Sequence, residues 1–135
     1  MEPIALHPYI FFAGNCRDAM DFYGQVFGCQ VDFQMMDDMP GAPVEAKGKV
    51  MHARLHGGDI SLQGSDGSRT EPYPQGSVTL SLSGKDETRL RQIFEALCEG
   101  GNAVSPIKKE FWGDLFGTVT DKFGTDWSVN IEAAR

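Results

Sequence analysis

Cysteines at metal-binding or redox spacing are absent from these 135 residues: Cys16, Cys29 and Cys98 are odd in number, far apart and include no C-x-x-C pair. That excludes a zinc knot or a disulfide frame and points to reduced thiols, hence to a cytoplasmic protein. No apolar run approaches the roughly 18 residues of a membrane span. The start, MEPIALHPYIFF, lacks the basic flank of a signal peptide. Positive charge is scarce too. Twelve Lys and Arg stand against 19 Asp and Glu, a net charge of −7, and an acidic surface repels nucleic-acid phosphates and anionic lipid. Neither nucleic acid nor a membrane is an expected partner. No G-x-G-x-x-G follows a strand, and neither a G-x-x-x-x-G-K-[ST] loop nor a G-x-S-x-G elbow occurs, so phosphate cradles and hydrolase elbows are unsupported.

What is present reads as one ordinary globular domain, 41% apolar and 23% charged. A helix is expected from about Arg17 to Phe27. Asn15 and Asp18 form a capping-box-like pair before it, Ala19, Met20, Phe22, Tyr23, Val26 and Phe27 make an apolar stripe, and Gly28 stops it. A second is expected from about Asp86 to Cys98, with Leu90, Ile93, Phe94 and Leu97 buried and Gly100-Gly101 as terminator. Strands Leu6–Phe12 and Ser77–Ser83 precede them. A constant offset of 70 lays one half on the other, setting Gly14 on Gly84, Met20 on Leu90, Tyr23 on Ile93 and Phe27 on Leu97, which suggests an internal duplication. Further strands are expected near Cys29–Met36, Val50–His56 and Asp59–Gly64, then near Ala103–Lys108, Phe116–Asp121 and Trp127–Ile131. The domain, 1–135, thus comprises two strand-helix-three-strand modules, about 1–64 and 77–135. The turn-rich stretch Ser65–Gln75 joins them, and Asp37–Gly48 reads as a flexible insertion.

Alternation assigns the faces. Val78, Leu80 and Leu82 should carry the helix, leaving Ser77, Thr79, Ser81 and Ser83 opposite, and the offset places His7, Tyr9 and Phe11 on the matching face. Ser61 and Gln63 oppose Ile60 and Leu62, while Ser128 and Asn130 oppose Trp127, Val129 and Ile131. In VMHARLHG, His52, Arg54 and His56 share one strand face; two such imidazoles could chelate a metal, and an exposed face carries polar groups without one. Asp37 and Asp38 read as a solvated strand end or loop. Phe111, Trp112 and Phe116, flanked by Gly113 and Gly117, suit either a ring held over a cleft or a packed hairpin.

Three stretches, YIFFAGNCRDAMDFYGQVFG, VMHARLHGGDISLQGSD and EFWGDLFGTVTDKFGTDWSVN, together resemble the PhnB-like branch of the vicinal oxygen chelate superfamily, home of glyoxalase I, bleomycin-resistance proteins and extradiol dioxygenases. The resemblance implies an α+β fold of tandem βαβββ modules forming a curled, cleft-enclosing sheet, and a homodimer. In metal-dependent members the ion takes ligands from the first and last strand of each module, which here correspond to His7, Gln63, Ser77 and Ser128. One imidazole, one amide and two hydroxyls depart from the imidazole–carboxylate set that a divalent metal wants, leaving His7 as the one good ligand. Some proteins of this branch are called demethylubiquinone methyltransferases; a chain this short shows no methyl-donor site, so methyl transfer is not expected. The expected function is binding of a small organic molecule in the inter-module cleft. His7, Tyr9, Phe11, His52, Arg54, Gln63, Ser77, Thr79, Trp112, Ser128 and Asn130 would line it. The alternative is a divalent-metal-dependent lyase, isomerase or dioxygenase, in which the ion would chelate two substrate oxygens.

Overall fold

The computed structural model describes residues 3–67, 71–74 and 76–133; the stretch Ser65–Gln75 therefore lies partly outside the described residues. The chain forms two compact units, Met1–Tyr73 and Pro74–Arg135. The first runs β1 (Tyr9–Phe11), α1 (Cys16–Phe27), β2 (Gln30–Met35), β3 (Val50–His56) and β4 (Gln63–Ser65). The second runs β5 (Leu80–Gly84), α2 (Glu87–Cys98), β6 (Asn102–Lys109), β7 (Leu115–Thr120) and β8 (Asp126–Ile131). Each is a βαβββ unit, so the α+β class and the repeated order hold.

The expected curled, cleft-enclosing sheet does not form. The strands make two separate four-stranded sheets, ordered β1-β4-β3-β2 and β5-β8-β7-β6. Closing a sheet requires every edge strand to find a second partner. Among the described residues β1, β2, β5 and β6 each have one neighbour, so both sheets are open. In each, the first strand pairs in parallel with the last (Tyr9 opposite Gln63, Leu80 opposite Trp127), and the other ladders are antiparallel.

Helix α1 buries Ala19, Met20, Tyr23 and Phe27 against the sheet, and α2 buries Leu90, Ile93, Phe94 and Leu97. The stripe works at close range because Gly24 has no side chain: a Cβ there would meet Val31 Cγ2 at 2.8 Å. Gly28 ends α1 in the left-handed region, φ 68°. Two capping details differ from expectation. Asn15 makes no side-chain cap, and the Gly14 and Cys16 N–H groups donate instead to Asp66 Oδ1, both at 2.9 Å. Asp86 precedes α2 as its N-cap, accepting from Arg89 N at 3.1 Å. The insertion Asp37–Gly48 opens within one short 3-10 turn, Met36–Asp38, and contains a second, Val44–Ala46. There the Asp37 carboxylate accepts from Gly48 N at 3.1 Å.

All three cysteines are free thiols. Burial, reinforced by the Asp66 carboxylate, pushes the Cys16 thiol up to about 12. Its folded value exceeds its unfolded one, so the stabilisation is complete below the unfolded value and is lost as pH rises toward 12. Unfolding free energy should therefore fall across that alkaline window, by at most about 1.4 kcal/mol per pH unit from this group. Cys16→Ala should flatten the slope relative to wild type, in denaturant titrations at successive pH values. An equal slope in both proteins contradicts the assignment.

Candidate functional site

In the first unit, α1 covers one face of the sheet and leaves the other open. Register builds the open face. Tyr9 lies opposite Gln63, Gln63 opposite Arg54, and Arg54 opposite Asp32, so four side chains form a row across β1, β4, β3 and β2. Gln34 and His52 pair in an adjacent row, and Gln30 with His56 in the other. Asp32, Phe33, Gln34, His52, Arg54 and Gln63 line a basin of about 470 Å³, within the size range of small-ligand sites.

From His52 a row of rings extends over β1. His52 and Tyr9 have centroids 5.6 Å apart, Tyr9 and Phe11 5.3 Å, and Phe11 and Tyr73 5.6 Å. The Tyr9 hydroxyl and His52 Nδ1 are hydrogen-bonded at 3.1 Å. Tyr9 and Phe11 remain 42% and 48% exposed, which leaves ring surface for a further planar group. Charge lies at the β2 side. His56 Nε2 stands 3.1 Å from Asp32 Oδ1, and because a carboxylate only accepts, His56 is the donor. Arg54 Nε stands 3.7 Å from the second Asp32 oxygen.

The second unit's open face carries hydroxyls and an indole. Ser81, Ser128, Thr118 and Ser105 form one row, with Ser81 and Ser128 Oγ atoms 2.8 Å apart. Ser83, Asn130, Phe116 and Lys108 form the next. Trp112 Nε1 donates to Asn130 Oδ1 at 3.4 Å, and Asn130 Nδ2 donates to buried Asp114 at 3.1 Å. The indole meets Phe111 and Phe116 edge-on at 5.0 and 5.7 Å.

Each sequence candidate therefore has a place. Tyr9, Phe11, His52, Arg54 and Gln63 share the first open face, and Trp112, Ser128 and Asn130 share the second. His7 precedes β1, and its Nδ1 is bonded to the Ser61 hydroxyl. Ser77 and Thr79 are exposed and precede β5, because Ser77 adopts φ 59° and the ladder starts only at Leu80. Val78, expected beneath a helix, is 69% exposed for the same reason. The sequence reading missed Asp32, Gln34 and Tyr73. Pairing the strands expected at Cys29–Met36 and Val50–His56 in antiparallel register would have set Asp32 opposite Arg54.

The metal positions do not fit a divalent ion. His7 is engaged by Ser61 and Ser128 by Ser81, and the other two positions offer an amide and a hydroxyl, poor donors for such an ion. Among the described residues no group of three His, Cys, Asp or Glu side chains could hold one. Among the described residues no helix is long and apolar enough to cross a membrane.

The family model described as 3-demethylubiquinone-9 3-methyltransferase matches residues 5–130. The structure of protein PA1353 from Pseudomonas aeruginosa is 35% identical, covering 96% of this chain and 98% of that one, with a TM-score of 0.84. A PhnB protein from Bacillus cereus is 19% identical over 96% of this chain and 100% of its own, with a TM-score of 0.76. A glyoxalase-related enzyme from Fulvimarina pelagi is 19% identical over 98% and 89%, with a TM-score of 0.61. The last two are likenesses of fold alone. Methyl transfer, the reaction in the family's description, needs a bound methyl donor. Two backbone N–H groups at the start of α1, those of Gly14 and Cys16, are taken up by Asp66 and are not free to hold an anionic group of such a donor. The start of α1 therefore does not fit a methyl donor.

Proposed function

We propose that this chain, which belongs to the family described as 3-demethylubiquinone-9 3-methyltransferase and shares its fold with a PhnB protein and a glyoxalase-related enzyme, is a small-molecule binding protein of the PhnB-like type whose ligand lies on the open face of the first sheet. One observation carries this: four rings, His52, Tyr9, Phe11 and Tyr73, run side by side, and His52 at the end of that row lines a basin together with Gln63 and Arg54. Exposed rings supply apolar burial, and a few convergent polar groups fix orientation, the usual division of labour in a ligand site. A structural role alone would bury the rings of Tyr9 and Phe11, and both remain substantially exposed.

The test is a small-molecule library screened by thermal shift on wild type and on Tyr9→Ala. Losing a ring that packs on ligand removes about 1–3 kcal/mol of apolar burial, which weakens binding roughly 5- to 150-fold. Hits from wild type should stabilise Tyr9→Ala far less at equal concentration. If they stabilise both proteins equally, the ligand lies elsewhere.

A further inference from the structure

We propose that the ligand of this face is an aromatic oxyanion, stacked on Tyr9 within the ring row and held by the guanidinium of Arg54; this rests on the binding role proposed above. The charge inventory of the face points that way. Among the described residues Asp32 is its one carboxylate, and both its oxygens are already approached, one by His56 and one by Arg54. Arg54 is committed only through Nε, at a loose 3.7 Å. Among the described residues its two terminal nitrogens make no hydrogen bond, so a planar fork of donors is left facing the basin. That fork matches two oxygens of a carboxylate or phosphonate bidentately, which a neutral amide or an ammonium group cannot reproduce.

Sheet geometry sets the ligand's length. Tyr9 and Arg54 occupy one row, separated by Gln63 on the strand between them. Two strand spacings put their backbones about 10 Å apart. An aryl group and a carboxylate joined by a three-carbon chain, with the bidentate contact added, span that distance. Gln63, half-buried under the chain, can serve a polar substituent between the two ends. The net charge of −7 does not oppose this. Charges beyond roughly 8–10 Å are screened at physiological ionic strength, and Asp32 serves to orient Arg54 toward the basin.

The probes are 4-phenylbutyrate, its uncharged primary amide, and 4-phenylbutylamine, which share a ring and a chain and differ in the head group. Titrations followed by backbone amide and arginine Nε–H signals give an affinity for each. On wild type the carboxylate should bind about 10-fold tighter or more than the amide, and the amine weakest, as expected when a charge-assisted bidentate pair is gained. Arg54→Gln should erase the carboxylate's preference over the amide, and because this side chain is 58% exposed the variant should keep the wild-type fold, read from its amide spectrum. Arg54→Lys should keep part of the preference, retaining the charge without the fork. Tyr9→Ala should weaken all three probes alike.

If the amine binds as tightly as the carboxylate, or Arg54→Gln leaves the order unchanged, the oxyanion assignment is overturned. The binding role then survives if Tyr9→Ala still weakens the probes. If none of the three moves the signals of Tyr9, His52 and Arg54 at millimolar concentration, the assignment is equally overturned, and the library screen on Tyr9→Ala decides the binding role separately.

Discussion

Asp66→Ala should lower the melting temperature of the first unit by about 10–18 °C, an effect rooted in one buried carboxylate. Asp66 is 1% exposed and accepts from three backbone N–H groups, those of Gly14 and Cys16 at 2.9 Å and of Val50 at 2.7 Å. It thereby ties the turn after β1, the first turn of α1 and the start of β3 to the chain just after β4. The negative charge also sits at the positive end of the α1 dipole. Alanine strands three buried donors at once. Each unsatisfied donor costs about 1–3 kcal/mol, and partial rehydration of the cavity brings the sum to about 3–5 kcal/mol. Asp66→Asn keeps the volume and an amide oxygen that can still accept from Gly14 and Cys16, while its N–H2 faces the Val50 donor, so it should be milder than Asp66→Ala. Calorimetry, with hydrogen exchange at Val50 and Cys16 to place the loss in this unit, is the measurement. A shift under about 3 °C would mean that water replaces the carboxylate freely.

That carboxylate marks where the sequence was silent. The helices were legible because their apolar positions recur at helical spacing, and Met20, Tyr23, Phe27, Leu90, Ile93 and Leu97 are all buried as expected. The face of β3 was legible as well: His52, Arg54 and His56 alternate with Ala53 and Leu55, and the ladder preserves that order. Strand ends were not legible, since alternation in a sequence continues past the last partner. SVTLSLS alternates over seven residues, yet β8 offers partners only from Trp127, opposite Leu80. Gly76 and Ser77, at φ 99° and 59°, turn the preceding chain away from the ladder. Likewise Asp59–Gly64 alternates, but β4 comprises only Gln63–Ser65. The openness of the sheets was hidden for the same reason, because ladder partners between distant strands leave no local pattern. Buried aspartates were hidden by chemistry: Asp is mostly a surface residue, and only its partners make burial tolerable. For Asp66 those partners are 16 to 52 positions away.

Asp121 was closer to legible, and its removal should have the second large effect. The stretch DKFGTDW closes the β7–β8 hairpin: Asp121 Oδ1 accepts from Phe123 N at 2.9 Å and Thr125 N at 3.0 Å. Both are partners within four residues, the kind of local aspartate turn that composition can announce. Its other oxygen, Oδ2, accepts from Trp127 Nε1 at 2.8 Å, joining the turn to the core of the second unit. Asp121 is 3% exposed and Trp127 2%. Asp121→Ala therefore leaves two turn N–H groups and a buried indole N–H unpaired, a cost of about 3–5 kcal/mol. Asp121→Asn should be milder, since the amide oxygen can still serve the two turn donors while the indole loses its acceptor. The consequence reaches the open face, because β8 also carries Ser128 and Asn130 immediately after Trp127. Tryptophan emission reads this directly. In a Trp112→Phe background the remaining indole is Trp127, and Asp121→Ala should shift its emission to the red under native conditions, with melting lowered by about 10–18 °C. Asp121→Asn should move the emission less. An unshifted emission together with an unchanged melting temperature would show that the turn holds without its carboxylate.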